Sequence, residues 1–142
     1  MKNVLITGAT GGIGSSILKL FYDNNYNICV TGTNMDKLNE IEINYEGKVK
    51  CISCNLNDAL QIENLVQQSN EYYGSTDILI NNAGTIRRNS AENHPTEWWD
   101  EVIEVNLSSQ FLLSREIGRE MIKRGSGKII FIASLLTFQG GI

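Results

Sequence analysis

The residues best suited to binding an anion form a glycine cluster near the N-terminus, Gly8-Ala9-Thr10-Gly11-Gly12-Ile13-Gly14, directly after the apolar run Val4–Thr7. Helical spacing of apolar residues begins at Ile13, so the pattern predicts a buried strand, a tight turn and a helix start. Such a turn points backbone N–H groups and the positive end of a helix dipole at a phosphate. The spacing Gly8-x3-Gly12-x-Gly14 does not fit the G-x-G-x-x-G fingerprint, so an ordinary glycine-rich turn is the alternative.

Small, amide and hydroxyl residues also follow the later apolar runs. They are Gly32-Thr33-Asn34, Cys54-Asn55-Leu56, Asn81-Asn82-Ala83-Gly84 and Ser134. In open parallel sheets, ligands bind outside the carboxyl ends of the strands. The sequence therefore predicts an extended ligand, such as a dinucleotide, lying across one edge of a sheet.

The elements that would position these groups alternate between strands and helices. The predicted strands are Val4–Thr7, Ile28–Thr31, Val49–Ser53, Asp77–Ile80 and Lys128–Ala133. The predicted helices run over Gly12–Asp23, Asp36–Ile43, a segment from the Asn57-Asp58 cap to Gly74, and a long stretch from the cap Thr96 to Arg124. Short apolar strands alternating with helices indicate an α/β fold with a doubly wound, Rossmann-like parallel sheet of five strands.

Composition excludes several functional classes. The net charge of −4 disfavours a nucleic-acid partner, and no apolar run is long enough to predict a membrane span. With no signal-peptide pattern, we expect a cytoplasmic protein. Cys51-x-x-Cys54 lacks a second pair, and residues three apart on a strand face opposite sides, so we interpret the cysteines as reduced buried thiols, with no metal site.

Four of these features occur together in a recognisable order: Thr7-Gly8-x3-Gly12-x-Gly14, Asn81-Asn82-Ala83-Gly84, Asn106 between Val105 and Leu107, and Ser134. Together they resemble the classical short-chain dehydrogenase/reductase family. The resemblance implies an oxidoreductase that interconverts a carbonyl and a secondary alcohol on a small molecule. It covers nearly the whole chain, and residues 1–142 would then form one incomplete NAD(P)-binding domain.

The resemblance also implies roles for individual residues in holding the cofactor. The pyrophosphate would be lined by Gly8, Gly12, Ile13 and Gly14. The adenine would be flanked by Asn55 and Leu56, although the family more often has Asp at the first of these positions. The ribose and nicotinamide would pack beside Asn82, Ala83 and Gly84, unless Asn82 and Gly84 only shape a turn at the end of the strand.

Two residues would act in catalysis if the resemblance holds. Asn106 would hold the water of a proton relay, and Ser134 would hydrogen-bond the substrate oxygen. Their alternatives are structural, since Asn106 could bond a backbone carbonyl and Ser134 could cap the strand end.

The family also needs a Tyr-x3-Lys pair after the serine, and none of the five tyrosines here is followed by lysine at that spacing. We therefore expect no efficient hydride transfer from this chain, because an unassisted tyrosine with a pKa near 10 is a poor base. The chain is interpreted as a fragment, an artificial truncation or a truncated gene product. The fifth strand is then expected to be an exposed, apolar sheet edge. In the complete protein, the long helix ending at Arg124 is expected to pair within a homo-oligomer.

The end of the second strand bears on the choice of cofactor. NAD-binding members place an acid there, whereas this chain has Thr33 or Asn34. Asp36 follows closely but is expected to start a helix, and Lys37 could reach a 2′-phosphate. The sequence therefore favours NADP(H) over NAD(H).

The two halves of the chain suggest different substrates. Residues 1–76 resemble 3-oxoacyl-acyl-carrier-protein reductases, whereas 77–142 resemble gluconate 5-dehydrogenase and 2-deoxy-gluconate 3-dehydrogenase, so a chimera is one interpretation. In the second half the resemblance is carried by Asn82-Ala83-Gly84-Thr85-Ile86-Arg87-Arg88, Trp99-Asp100 and residues 132–141. Arg87 and Arg88 could meet a substrate carboxylate or phosphopantetheine, and two solvated loop arginines are the alternative. A sugar acid is the favoured substrate, and a catalytically inactive dinucleotide-binding module is the alternative from another class.

Overall fold

The computed structural model describes residues 1–139 and contains a five-stranded parallel sheet in the order β3-β2-β1-β4-β5. The strands are β1 (Asn3–Thr7), β2 (Asn27–Gly32), β3 (Val49–Ser53), β4 (Ile78–Asn81) and β5 (Lys128–Phe131). The helices are α1 (Gly12–Asp23), α2 (Met35–Asn44), α3 (Ala59–Tyr73), α4 (Thr96–Ile103) and α5 (Ser109–Arg124). The predicted Rossmann-like α/β fold is confirmed, while Gly140 and Gly141 of the C-terminal motif lie outside the described residues.

Helices cover both faces of the sheet, and each strand contributes alternate residues to two core layers. On β1, Leu5 packs with Leu65 of α3 and Leu113 of α5. Its neighbours Val4 and Ile6 belong to the other layer, with Leu18 of α1 and Leu38 of α2. Two-sided burial explains why the strands are continuous apolar runs with no polar alternation.

Local sequence signals set most of the helix ends. The carboxylate of Asp58 accepts hydrogen bonds from Leu60 N (3.0 Å) and Gln61 N (3.3 Å), so it caps α3 as predicted. The prediction that Thr96 caps the next helix is wrong. Pro95 occupies the cap position in an extended conformation, and its carbonyl accepts from Trp98 N and Trp99 N at 3.2 Å. Because proline lacks an N–H group and prefers this backbone conformation just before a helix, Thr96 becomes the first helical residue.

The long helix predicted to end at Arg124 is interrupted. A π-helical turn, Glu104–Ser108, separates α4 from α5. The spacing of apolar residues, averaged over the whole predicted helix, does not reveal a single inserted residue. Such an insertion widens the helix locally. Asn106 lies within this turn.

β5 lies at the edge of the sheet, as expected, and pairs only with β4 among the described strands. It ends at Phe131, two residues earlier than predicted, and Ile130 and Phe131 are 43% and 52% exposed. Among residues 1–139, no helix has the length and apolar character needed to cross a membrane.

Candidate functional site

The glycine turn between β1 and α1 uses its glycines in two different ways. Gly8 has a φ of +67°, and a Cβ there would lie 2.8 Å from the Cα of Ala83. A Cβ on Gly14 would overlap the Gly8 carbonyl oxygen and lie 2.7 Å from Asn82 Nδ2. A Cβ on Gly12 would meet nothing within 4 Å. Gly8 and Gly14 are therefore required by packing, whereas Gly12 leaves an open space beside the start of α1.

Thr7 joins this turn to the loop that follows β4. Its Oγ1 accepts hydrogen bonds from the backbone N–H groups of Asn82 (3.0 Å) and Ala83 (2.9 Å). The Asn82 side chain bonds back to the same turn: its Nδ2 donates to the carbonyls of Thr7 (2.9 Å) and Gly8 (3.1 Å). The amide of Asn82 therefore shapes the turn, which was the structural alternative for this residue.

These elements form one cleft of about 570 Å³ at the carboxyl edge of the sheet. It brings together the ends of β1, β2, β3 and β4 with one side of α4. The residues lining it are Gly8, Thr10, Gly11, Gly12, Ile13, Gly14, Thr31, Gly32, Thr33, Cys54, Asn55, Leu56, Asn57, Asn82, Ala83, Gly84, Thr85, Glu101 and Val105. The structure thus places ten of the eleven predicted cofactor-binding residues around one cavity, Asn34 being the exception.

Asn34 and Ser134 have local structural partners. The Asn34 side chain accepts from Lys37 N at 3.0 Å and caps α2. Ser134 is exposed, and its Oγ accepts from Leu136 N at 3.2 Å at the start of a short 3₁₀ turn, Leu135–Thr137. The Ser134 hydroxyl keeps its hydrogen for donation, because in this bond it acts only as an acceptor.

Asn106 is exposed, is not among the residues that line the cleft, and fixes the loop after Gly84. Its Oδ1 accepts from Thr85 N at 2.8 Å, and its Nδ2 donates to Thr85 O at 2.8 Å. The amide thus satisfies both backbone groups of one lining residue, as a neighbouring strand would. Asn106 therefore acts here as a positioning residue.

We expect Asn106→Ala to lower the free energy of unfolding by about 2 kcal/mol, since two hydrogen bonds are lost. Asn64→Ala, at an exposed position on α3, is the control and should have no comparable effect. Amide hydrogen exchange measures the local consequence, which is faster exchange at Thr85 in the Asn106 variant alone. An unchanged exchange rate at Thr85 would contradict this role.

Nine lining residues are not among the predicted cofactor contacts: Thr10, Gly11, Thr31, Gly32, Cys54, Asn57, Thr85, Glu101 and Val105. The first seven lie within two positions of a predicted contact, so their place along the chain could have indicated them. Glu101 comes from α4 and Val105 from the π-helical turn that follows it, and nothing in the sequence indicates that this segment closes the cleft. Thr31 Oγ1 is buried and has no hydrogen-bond partner among the described residues.

The two arginines after β4 differ in their surroundings. Arg87 pairs in a fork with Glu101, with Nη2–Oε1 at 2.7 Å and Nε–Oε2 at 2.8 Å. Arg88 is exposed and makes no side-chain hydrogen bond or ion pair within residues 1–139. The guanidinium of Arg87 is thus already occupied by a carboxylate of the protein, whereas that of Arg88 is available to another.

The three cysteines are free thiols, as predicted. Cys29 and Cys54 belong to the core layer under α3, whereas Cys51 packs on the opposite layer, so Cys51 and Cys54 face opposite sides. Burial raises the pKa of Cys54 to about 11 and that of Cys51 to about 12. Both thiols are therefore neutral at pH 7. Within residues 1–139, no group of three or more His, Cys, Asp or Glu side chains could hold a metal ion.

The raised thiol pKa values predict a loss of stability in alkali. An unfolded cysteine ionises near pH 8.5, so above that pH the unfolded state loses protons that the folded state keeps. Each thiol then lowers the free energy of unfolding by at most about 1.4 kcal/mol per pH unit, until its folded pKa is reached. Urea denaturation between pH 8 and pH 10 measures the slope. Cys51→Ala should have a shallower slope than the parent chain, and identical slopes would contradict the prediction.

Comparison with known proteins agrees with this geometry. A family model described as short chain dehydrogenase matches residues 2–142. The 2-dehydro-3-deoxy-D-gluconate 5-dehydrogenases of Pseudoalteromonas atlantica and Bacillus subtilis are 42% and 41% identical, over 99% of this chain and 57% and 56% of theirs. A 3-oxoacyl-acyl-carrier-protein reductase of Escherichia coli is 34% identical, over 98% of this chain and 57% of its own.

Solved structures have the same fold over a similar span. An actinorhodin polyketide ketoreductase solved with NADPH superposes with a TM-score of 0.94 at 29% identity, over 99% of this chain and 56% of that one. The chain spans a little over half the length of the curated relatives it matches. From the match over residues 2–142 and the five-stranded sheet, we conclude that this chain belongs to the short chain dehydrogenase family of NAD(P)-binding oxidoreductases.

Proposed function

We propose that the chain binds NADP(H) in the cleft, and that the protein it represents interconverts a carbonyl and a secondary alcohol on a sugar acid. The observation that carries the binding proposal is the open space at Gly12, at the first residue of α1 and on the wall of the cleft. A pyrophosphate placed there meets backbone N–H groups and no side chain.

The electrostatics of the turn favour an anion. The first turn of α1 has no acidic residue, and its cap position is Gly11, which has no side chain to satisfy the N–H groups. The positive end of the α1 dipole therefore faces the cleft without a protein carboxylate to offset it. Ile13 and Gly14 continue this wall, while Asn55 and Leu56 suit the adenine side, and Ala83 and Gly84 suit the nicotinamide side.

The preference for NADP(H) rests on the end of β2. Thr33 lines the cleft there, and Asn34 caps α2. Asp36 lies in the first turn of α2, where an acid is stabilised by the helix itself. Glu101 is the one carboxylate-bearing residue among the cleft-lining residues, and it pairs with Arg87. NAD(H) is the alternative cofactor.

When bound, the dinucleotide would supply or accept the hydride. The residues of this chain would hold the substrate and the cofactor and orient them. Ser134 would donate its hydroxyl hydrogen to the substrate oxygen, and Asn106 would keep Thr85 beside the cleft and hold the relay water. Arg88 is the proposed carboxylate-binding residue, because Arg87 is paired. The names of the two relatives above 40% identity support a 2-dehydro-3-deoxygluconate-type substrate.

One other function has specific support. The 34% identical carrier-protein reductase supports a 3-oxoacyl thioester as substrate.

Titration of the purified chain with NADPH and separately with NADH, followed by nicotinamide fluorescence, tests the binding proposal. We expect saturable binding of both, with NADPH about tenfold tighter. Equal or tighter binding of NADH would overturn the cofactor preference, and no binding of either would overturn the proposal itself.

The substrate is tested by calorimetric titration of the NADP⁺-loaded chain with 2-dehydro-3-deoxygluconate and with acetoacetyl-pantetheine. We expect binding of the sugar acid alone, weakened by Arg88→Gln and unaffected by Lys128→Gln. Binding of the thioester alone would favour the carrier-protein reductase.

A further inference from the structure

All five tyrosines of the chain lie at the end of the molecule opposite the cleft. Tyr22 and Tyr26 are at the end of α1, Tyr45 follows α2, and Tyr72 and Tyr73 end α3. Their rings make edge contacts with aromatic neighbours, such as Tyr22 with Tyr45 at a centroid distance of 4.7 Å. The fold therefore gathers at one place residues that lie up to 51 positions apart in the sequence (73 − 22).

Three of these rings, those of Tyr22, Tyr26 and Tyr73, border a second cavity, of about 550 Å³, at the amino ends of β2 and β3. We call it the tyrosine pocket, and its lining residues are Met1, Tyr22, Asn25, Tyr26, Asn27, Gly47, Lys48, Lys50 and Tyr73. Strands of five or six residues separate it from the cleft by roughly 15 Å. The two cavities share no lining residue.

Two lysines give this pocket a positive charge. Lys48 Nζ lies 5.6 Å from the centroid of the Tyr22 ring, and Lys50 Nζ lies 5.4 Å from that of Tyr72. Neither ammonium group forms an ion pair within residues 1–139.

No acidic residue among residues 1–139 lines the tyrosine pocket, and three carboxylates of the adjoining segments accept hydrogen bonds from other groups. Asp23 pairs with Lys19 at 2.7 Å, and Glu42 Oε1 accepts from Cys51 N at 3.1 Å. Glu71 accepts from Gln67 at 2.9 Å, whereas Glu46 is exposed and lies outside the lining. The cations at the pocket are thus left without a neutralising side chain on its wall.

The pocket is also held in place. Tyr73 Oη donates to the Lys48 carbonyl at 3.1 Å, which ties the end of α3 to the segment before β3. Asn25 and Gly47, with φ values of 59° and 71°, form two tight turns at the rim. A cavity with fixed aromatic walls and unpaired cations suits a flat, negatively charged ligand.

We propose that the tyrosine pocket binds a small aromatic anion, with the ring against Tyr22, Tyr26 and Tyr73 and the phosphate or carboxylate at Lys48 and Lys50. The site is independent of the dinucleotide cleft and needs no chemistry there. Binding requires both the ring contact and the charge, because a single lysine cannot form the bidentate hydrogen bonds that an arginine forms with an anion.

Phenyl phosphate is the probe, titrated into the ¹⁵N-labelled chain and followed by two-dimensional amide NMR. We expect saturable shifts at Asn27, Gly47 and Lys48, and none at the glycine turn of the cleft. Lys48→Gln and Lys50→Gln should each weaken binding about tenfold, whereas Lys128→Gln, an exposed lysine on β5, should not change it.

Two related probes separate the contributions of ring and charge. Cyclohexyl phosphate keeps the charge without the aromatic ring, and benzyl alcohol keeps the ring without the charge. We expect both to bind at least tenfold more weakly than phenyl phosphate. Equal binding of cyclohexyl phosphate, shifts confined to the cleft, or no saturable shift at the pocket would each overturn the proposal.

Discussion

Gly12→Ala is expected to weaken NADPH binding by about 100-fold or more while leaving the chain as stable as before. The methyl group would enter the open space at the first residue of α1, where no described atom beyond its chain neighbours and its own helix backbone lies within 4 Å. The protein therefore tolerates it, and alanine stabilises a helix relative to glycine by up to about 1 kcal/mol. A pyrophosphate would lose its close approach to the backbone N–H groups, and each hydrogen bond to a charged group contributes about 1.5–3 kcal/mol.

Two matched glycine variants make this result specific. Gly118→Ala, on α5, places its Cβ at an ordinary 3.9 Å from Ile129 Cδ1. It should raise stability by up to about 1 kcal/mol, as alanine does inside a helix, and leave NADPH binding unchanged. Gly14→Ala should destabilise the chain by about 3 kcal/mol, because its Cβ overlaps the Gly8 carbonyl. Urea denaturation and nicotinamide fluorescence measure both properties on each variant. Unchanged NADPH affinity in Gly12→Ala would show that the dinucleotide does not lie on this turn.

The fold was predictable because each strand is buried on both faces and each helix has an apolar stripe of its own. Runs such as Val49–Ser53 and the glycine break at Gly74 are local signals, and the structure has those boundaries where the sequence indicates them. The cleft followed from topology, since the strand ends must meet at one edge whatever the details of packing.

The features that sequence did not reveal depend on contacts between distant segments. Asn106, in the π turn, forms its two hydrogen bonds with Thr85, which lies 21 positions earlier in the chain. The fork between Arg87 and Glu101 likewise depends on how α4 closes over the cleft. The tyrosine pocket lies at the amino ends of the strands, away from the cleft. That the tyrosines gather there could be seen only once the chain was folded.

Thr7→Val is expected to destabilise the chain by about 3 kcal/mol and to weaken NADPH binding with it. Thr7 is 1% exposed, and its Oγ1 accepts the N–H groups of Asn82 and Ala83. Valine has nearly the same shape but no acceptor, so both buried N–H groups lose their partner, at about 1–3 kcal/mol each. Thr7→Ser keeps the oxygen and removes only a methyl group, which should cost about 1 kcal/mol.

The comparison of these two variants tests how the site is built. If the hydroxyl of Thr7 joins the glycine turn to the Asn82–Gly84 loop, valine and serine must differ in both urea denaturation and NADPH titration, with serine near the parent chain. Equal stability of the two variants would show that the methyl contacts of Thr7 hold this junction and that its hydrogen bonds do not. The expected difference follows from geometry, because the glycine turn and the Asn82–Gly84 loop follow strands that lie side by side but are 75 residues apart in the chain, from Thr7 to Asn82. One buried hydroxyl group then determines whether these two walls of the cleft stay in register.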